Sequence, residues 1–452
     1  MSLAANGSSG TPGRRLLLIS QFYPPAQTIG AVRWAAMVKY LRRMGHEVTV
    51  IAGDAWPAEA GSNGVVWTRD LVGHPAVRRL LGRPPLAGLG NGHRVVKRTP
   101  SLAARLFVPD PAVASWTPSA LRAARRIIAS RRVDCVITTS PAASAHLVGL
   151  ALGPSRPAWV ADFRDGWGFE DTRSPFRTVA QRALDVRLES RVVREADRVI
   201  TATAPIAEDL ASRFGVDARH VTSGWDPECR SVVERNGHPE SDLVTLVHTG
   251  RLSGPLGRDP RPLLDGLRSM FARRPDLREC VRVVLAGELY AHEQDLIDRS
   301  GLLDVIQTPG RIPHSEALAL QRRADALVLL TSADGSETTG KVFEYLGAGR
   351  PIVALAGDNG AAKIVRATQS GVVVTPADQE ALVKALVAVA ERRFPYDPKL
   401  DQIQRYFHPG PAIQAAGEIE RAIACRSSSR LISRSTGRRR LSQTPPSRVG
   451  SR

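Results

Sequence analysis

Short, nearly unbroken apolar runs recur along this chain, and between them apolar positions fall three and four residues apart. Such runs predict strands buried on both faces, and the stripes between them predict helices that cover those faces. In the first half the strands are LLLIS (Leu16 to Ser20), GHEVTVIAG (Gly45 to Gly53), VDCVITT (Val133 to Thr139), WVADF (Trp159 to Phe163) and DRVITAT (Asp197 to Thr203). LVTLVHTG (Leu243 to Gly250), VRVVLAGE (Val281 to Glu288), ALVLLTS (Ala326 to Ser332), PIVALAG and GVVVT continue the series, with a short strand and turn at Gly310 to Pro313. Helices are expected over Ala31–Met44, about Ala142–Leu152, about Arg177–Glu195 and up to about Phe214. Others are expected from Gly340 to Gly349, over Gln379–Arg393, and in a last stretch from about Lys399 to Ala424. Sustained strand and helix alternation reads as an α/β protein with doubly wound parallel sheets.

At 452 residues the chain is too long for one ordinary core. The polar stretch VVERNGHPESD suggests the division: residues 15–228 as a first domain, 229–242 as a linker and 243–398 as a second domain. The helical stretch 399–424 follows, and residues 1–14 and 425–452 are expected to be disordered, the latter as a basic tail of Ser, Arg and Pro. Residues 55–109 are rich in Gly, Pro and Arg and predict loops and short helices. No apolar run approaches the roughly 18 residues of a membrane span, and the polar start lacks a signal core, so a cytoplasmic protein is expected. Cys135, Cys229, Cys280 and Cys425 are scattered without paired spacing, which suggests neither a zinc site nor a disulfide framework. There is also no GxGxxG, so the dinucleotide fingerprint is missing.

The net charge of +18 is unevenly spread. From Arg426 to Arg452 there are eight arginines and no acid, and between Arg69 and Pro109 eight cations face only Asp70. Charge of this kind attracts any polyanion in a salt-dependent way. An anionic membrane surface is therefore a candidate partner, beside the plainer reading of a solvated basic surface. No specific nucleic-acid partner is expected.

The densest chemistry lies in SETTGKVFEYLGAGRPI (Ser336 to Ile352), just after a buried strand. Ser336, Thr338 and Thr339 can cap a helix that starts at Gly340, whose free amides and positive dipole end suit a phosphate. Gly340 lets the backbone come close, and Lys341 adds a point charge. One turn in, Glu344 can accept both hydroxyls of a ribose, and Glu337 can reach a sugar beyond the phosphates. A plain strand, loop and helix with surface charges is the alternative.

These residues resemble the donor site of retaining glycosyltransferases of family four, the glycosyl transferases group 1. The resemblance implies a GT-B fold, two Rossmann-like domains facing across a cleft, and a sugar moved from a nucleotide-sugar donor to a glycan, lipid-linked or small-molecule acceptor. Neither a metal nor a cofactor is implied, and the stretch 399–424 would cross back to the first domain. Thr339, Gly340, Lys341 and Val342 would receive the diphosphate, Glu344 the ribose and Glu337 the sugar. The backbone of Arg311 and Ile312 matches the segment that reads the base. Arg251, after the strand LVTLVHTG, matches the Arg of a Gly-Arg pair aimed at the diphosphate. The lysine expected soon afterwards is missing, and Arg258 in GRDP is the nearest cation. Glu337 and Glu344 also stand one residue closer than the family's pair.

On the acceptor side, WVADFRDGW places Asp162, Arg164 and Asp165 at a strand's carboxyl end, and resembles a DFRDxW segment that borders the cleft. A buried acid must be paired, so Asp162 is expected against backbone amides or Arg164. In QFYPPAQTIGAVR, Gly30 occupies a position matching a glycine near the donor or acceptor. His146, in an apolar helix, is expected to pack. TSGWDPE (Thr222 to Glu228) resembles the turn that closes the first domain. One rival reading is an inactive nucleotide-sugar-binding or partner subunit on the same fold. Others are an epimerase or phosphorylase relative and a nucleic-acid binder.

Overall fold

A computed structural model describes residues 13–26, 29–54, 64–70, 106–169, 178–229, 243–253, 258–332 and 338–441. The first half runs β1 (Arg15–Ile19), α1 (Ile29–Arg43), β2 (Glu47–Gly53), β3 (Val65–Thr68), α2 (Ala112–Ser115), α3 (Thr117–Ser130) and β4 (Cys135–Thr139). It continues with α4 (Ser144–Ala151), β5 (Ala158–Phe163), α5 (Val179–Glu195), β6 (Arg198–Thr201), α6 (Ala204–Phe214) and β7 (Ala218–His220). These strands form one parallel sheet in the order β3-β2-β1-β4-β5-β6-β7. All residues of β4 and β5 are buried, as the unbroken apolar runs require of strands covered on both faces.

The second half runs β8 (Val244–Thr249), α7 (Arg261–Arg273), β9 (Val281–Ala286), α8 (Ala291–Asp298), β10 (Ile306–Gln307) and α9 (His314–Arg323). Next come β11 (Ala326–Leu330), α10 (Gly340–Ala348), β12 (Ile352–Leu355), α11 (Gly360–Thr368), β13 (Gly371–Val374) and α12 (Gln379–Ala390). Its sheet is also parallel, ordered β10-β9-β8-β11-β12-β13. Strand order reverses between β1 and β4 in one sheet and between β8 and β11 in the other. Such reversals leave a crevice at the carboxyl ends of the flanking strands, where open α/β sheets bind ligands. The loops after β8 and β11 therefore meet at the second crevice.

Two last helices, α13 (Leu400–Gln404) and α14 (Gly410–Leu441), leave the second half. Between them the chain pairs with Thr222–Glu228: Trp225 N–H donates to the Tyr406 carbonyl (2.8 Å), and His408 N–H donates to the Trp225 carbonyl (2.9 Å). Ala412, Ala415, Ile419 and Ala422 of α14 then join Leu16, Leu18, Trp34 and Met37 in the first sheet's core. Arg14–Glu420 (2.8 Å) and Arg198–Glu418 (3.0 Å) flank that contact.

Three expectations change. β3 lies inside the stretch expected to hold only loops and short helices, while residues 55–63 and 71–105 of that stretch are outside the described residues. Helix α3 was not foreseen, because Arg122, Arg125 and Arg126 interrupt the pattern around its buried stripe of Ala120, Ala124 and Ile127. The tail expected to be disordered from residue 425 instead continues α14 to Leu441, since no proline interrupts the backbone before Pro445. The expected disorder at residues 1–12 and 442–452, and linker residues 230–242, fall outside the described residues. No described helix is long and apolar enough to cross a membrane.

Because Ile419 is buried in the first core although it follows the second sheet in sequence, Ile419→Ala should cost about 2–5 kcal/mol there. Hydrogen exchange should accelerate in β1 and β4 and stay unchanged in β11 and β12. Equal acceleration in both sheets would contradict this packing.

Candidate active site

The second crevice is built from the ends of β8 and β11 and the start of α10. Thr339 caps α10 from an extended conformation, its side chain accepting from the Lys341 N–H at 3.4 Å, and Gly349 ends the helix in the left-handed region. The lysine side chain folds back over the turn after β8. Lys341 Nζ donates to the Arg251 carbonyl at 3.2 Å, and a Cβ at Gly250 would stand 2.6 Å from Lys341 Cε. Gly250 also has φ +92°, a conformation that favours glycine, and the missing side chain leaves Lys341 the room to fold there. In this way Arg251 and Lys341, far apart in sequence, share one corner. The Arg251 side chain is exposed, with its guanidinium carbon 5.9 Å from the Tyr290 ring centre.

Beneath the corner lies His248, fully buried, with Nδ1 at 2.9 Å from the Val328 carbonyl and Nε2 at 3.2 Å from that of Arg251. Burial, and then the nearby Lys341 charge, push its pKa down to about 3. A neutral imidazole has one N–H to give, so Lys341 serves the Arg251 carbonyl when His248 serves Val328. Ser253 N–H, further along the loop, donates to buried Glu293 at 2.7 Å. Arg258 is half-buried and lines a cleft of about 470 Å³ with Ser253, Arg261, His292, Asp295 and Arg299. The structure thus places Arg258 beside the loop after β8, on the α7–α8 side.

Glu344 projects from α10 into a polar network. His314 Nε2 lies 3.0 Å from its Oε1, and Gln321 Nε2 donates to its Oε2 at 3.1 Å and to Thr249 Oγ1 at 2.9 Å. Gln321 is fully buried, so the carboxylate is held from below while His314 approaches from the surface. Arg311 and Ile312 lead into α9; Ile312 packs against the cluster containing Val342, Phe343 and Leu346. Thr339, Gly340, Lys341, Val342, Glu344, Arg251, Arg311 and Ile312 are therefore gathered at one crevice. Glu337 and Ser336 lie outside the described residues.

In the first half, Asp162 requires a correction. It is fully buried, and it pairs with Arg33 (3.1 Å), not with Arg164. Trp34 Nε1 (2.6 Å) and the Thr139 hydroxyl (2.7 Å) donate to its other oxygen. Its carboxylate is thus occupied in joining α1 to β4 and β5, and it does not face an acceptor. Arg164 instead pairs with Asp165 at 2.5 Å. Gly30 meets this pair, since a Cβ there would lie 3.5 Å from Arg164 Nη1 and 3.2 Å from Pro141. Gly30, Arg164 and Asp165 remain together at the carboxyl end of β5. His146 packs as expected, stacked on Phe163 with ring centres 4.5 Å apart.

Arg33, His248, Gln321 and His314 were all missed from sequence. The polar interruptions in otherwise apolar runs, such as His248 within LVTLVHTG, were the available signal.

A glycosyl transferase 4-like domain model matches residues 30–224, and a model for glycosyl transferases group 1 matches residues 245–392. The chain belongs to the group 1 glycosyltransferases. D-inositol 3-phosphate glycosyltransferase of Geodermatophilus obscurus is 32% identical over 222 residues, covering 45% of this chain and 48% of that protein. A Mycobacterium tuberculosis glycogen synthase is 30% identical over 215 residues, covering 45% of this chain and 48% of its own. The chain spans about half the length of the curated relatives it matches. Among solved structures, sucrose-phosphate synthase from Thermosynechococcus elongatus superposes with a TM-score of 0.61 at 16% identity, covering 91% of this chain and 99% of that one. Anabaena HepE in complex with UDP and glucose gives 0.53 at 16%, covering 90% and 99%. The fold is GT-B.

Glu344 raises the pKa of His314 above the usual histidine value, mainly through their hydrogen bond. A raised folded-state pKa contributes stability that is fully present below the unfolded value and disappears as pH rises through the folded one. His314 is more than half exposed, so the pair should be worth at most about 1 kcal/mol. Urea unfolding should show His314→Ala to be destabilised at pH 5.5 relative to wild type, with the difference vanishing by pH 9. A difference that grows with pH would contradict the pairing.

Proposed function

We propose that this chain is a glycosyltransferase that moves a sugar from a nucleotide-sugar donor to a glycan or lipid-linked acceptor, with retention and without a metal or cofactor, in the cytoplasm. The observation that carries the reading is the corner where Gly250 lets Lys341 fold onto Arg251 at the amino end of α10. The Lys341 ammonium, the turn that carries Arg251 and the amides at the start of α10 come together where β8 and β11 diverge, an arrangement suited to a diphosphate. Glu344, one turn into α10, stands where ribose hydroxyls can donate to it, and the Arg311–Ile312 backbone is offered to the base.

In this reading the bond between the anomeric carbon and the donor's phosphate oxygen breaks as the acceptor oxygen approaches the same face. The acceptor's proton passes to the departing phosphate oxygen, so no separate base is needed. The developing charge falls on the diphosphate, and catalysis is mainly electrostatic. Arg251 and Lys341 neutralise that charge, Arg258 assists from the flank, and Glu337 holds the sugar. Gly30, Arg164 and Asp165 form the acceptor-side edge in the first half.

Arg251 then faces more negative charge in the transition state than in the bound donor, and its removal should act on turnover. Loss of one such donor costs about 2.7–4 kcal/mol, roughly a hundredfold to a thousandfold in rate. Steady-state transfer should fall by that factor in Arg251→Ala, recover partly in Arg251→Lys, and fall less in Arg258→Ala. A folded Arg251→Ala protein with near-normal turnover would remove this corner from the catalytic centre. Glu344→Ala should instead weaken nucleotide binding, by roughly 1.5–3 kcal/mol, in a calorimetric titration.

A further inference from the structure

Helix α8 begins soon after β9, and its third residue, Glu293, is fully buried. One carboxylate oxygen accepts from the Tyr290 N–H at 2.6 Å, the bond by which a glutamate at this place caps its own helix. The other accepts at 2.7 Å from the Ser253 N–H, which lies in the turn after β8. Among the described residues no cation pairs with this carboxylate. A buried charge without a cation is costly, and glutamine at the same place caps a helix without one. The helix therefore accounts for one oxygen, and the charge and the second bond belong to the turn.

That turn carries Arg251 and is tied down at successive residues. Gly250 N–H donates to the Ala286 carbonyl at 2.6 Å, and a Cβ at Gly287 would collide with the Gly250 carbonyl, so the loops after β8 and β9 leave the sheet in contact. The Arg251 carbonyl takes Lys341, Leu252 is buried with Leu263 and Leu267 of α7, and Ser253 N–H takes Glu293. The Arg251 guanidinium has no carboxylate partner among the described residues, and its nearest support is the Tyr290 ring, 5.9 Å away. A carboxylate paired with Arg251 itself would cancel the charge that a diphosphate requires. Glu293 instead binds the backbone two residues further on, which fixes the base of the arginine and leaves its charge for an anion.

We propose that Glu293 is a positioning residue for sugar transfer: from the start of α8 it fixes the turn that carries Arg251, and with Tyr290 it sets the guanidinium before the donor arrives. The transfer it serves rests on the glycosyltransferase reading; its hold on the turn does not. An arginine on a loose turn would have to be ordered as charge develops on the departing diphosphate. On a fixed turn it already stands in place.

The test is nucleoside diphosphate release by the full chain from UDP-glucose, ADP-glucose and GDP-mannose, together with hydrogen exchange across residues 250–253. Glu293→Met fills the space but accepts no bond, so turnover should fall about tenfold to a hundredfold while the KM for the donor changes little. Glu293→Gln keeps one of the two bonds and should lose less. Tyr290→Leu should lower turnover about threefold, and Tyr290→Phe, which keeps the ring, should match wild type. In an Arg251→Ala background Glu293→Met should cost nothing further, because a residue that acts through Arg251 then has nothing to act on. The Ser253 amide should exchange faster in Glu293→Met, with β8 and β9 unchanged. Normal turnover in Glu293→Met, its full effect persisting in the Arg251→Ala background, or unchanged exchange at Ser253 would overturn the proposal. So would a Glu293→Met protein that fails to fold together with normal turnover in Tyr290→Leu, since the start of α8 would then serve the fold alone. A wild type that releases nothing from any of these donors counts against the glycosyltransferase reading; faster exchange at Ser253 in Glu293→Met would still support the hold on the turn, and unchanged exchange would still overturn it.

Discussion

The contact on which the second crevice depends is that of the Lys341 ammonium with the Arg251 carbonyl across Gly250. A lysine amine is strongly hydrated, so holding it against a backbone oxygen needs room and a reason. Gly250 supplies the room. The reason is the Arg251 carbonyl, two residues past β8, which takes the ammonium beside the buried His248. A side chain at position 250 would displace the end of the Lys341 side chain from the Arg251 carbonyl. The same contact fixes the start of α10 relative to the end of β8, which is the geometry a diphosphate would experience.

The first half depends on a different kind of bond. Asp162 and Arg33 are both buried, at 3.1 Å, and a buried ion pair is tolerated only when its remaining lone pairs and protons are also served. Trp34 and Thr139 complete the carboxylate, while Ser223 and the Val221 carbonyl accept from Arg33. These partners come from α1, β4, β5 and the chain beyond β7, so the pair fixes the crevice wall on which Gly30 and Arg164 stand. Fully buried, the pair acts through the positions it fixes.

Much of the fold was legible because parallel strands are buried on both faces and so cannot vary in polarity. β1, β4, β5, β8, β11 and β12 all read as apolar runs, and α10 could be bounded by its cap and Gly349. What escaped was polar chemistry settled by tertiary partners. Asp162 looked as if it should pair with Arg164, two residues away, but β5 ends at Phe163, Arg164 turns to Asp165, and the partner of Asp162 is Arg33, from another element. Gln321 and His314 looked like ordinary helix residues, since their link to Glu344 exists only once α9 lies beside α10. α14 was underestimated for the opposite reason: composition suggested disorder, yet 426–441 propagates a helix already nucleated by the packing of Ala412, Ala415, Ile419 and Ala422, with no proline to stop it.

Helix α10 is where these parts meet. Its first turn carries the donor corner, yet its last turn belongs to the other half of the molecule. At Gly347 a Cβ would lie 2.5 Å from Trp225 Nε1, and Phe343 packs on Tyr406 with ring centres 5.8 Å apart. Trp225 closes the first half, and Tyr406 lies on the strand of chain that returns to it. Cys229, just beyond, has its thiol pushed up by burial, then by Asp226 and also by Glu344 of α10. α10 is thus held at its carboxyl end by the Trp225 indole and the Tyr406 ring of the returning chain, and at its amino end by the turn after β8 through Lys341, so one short helix ties the second sheet to the elements that close the first.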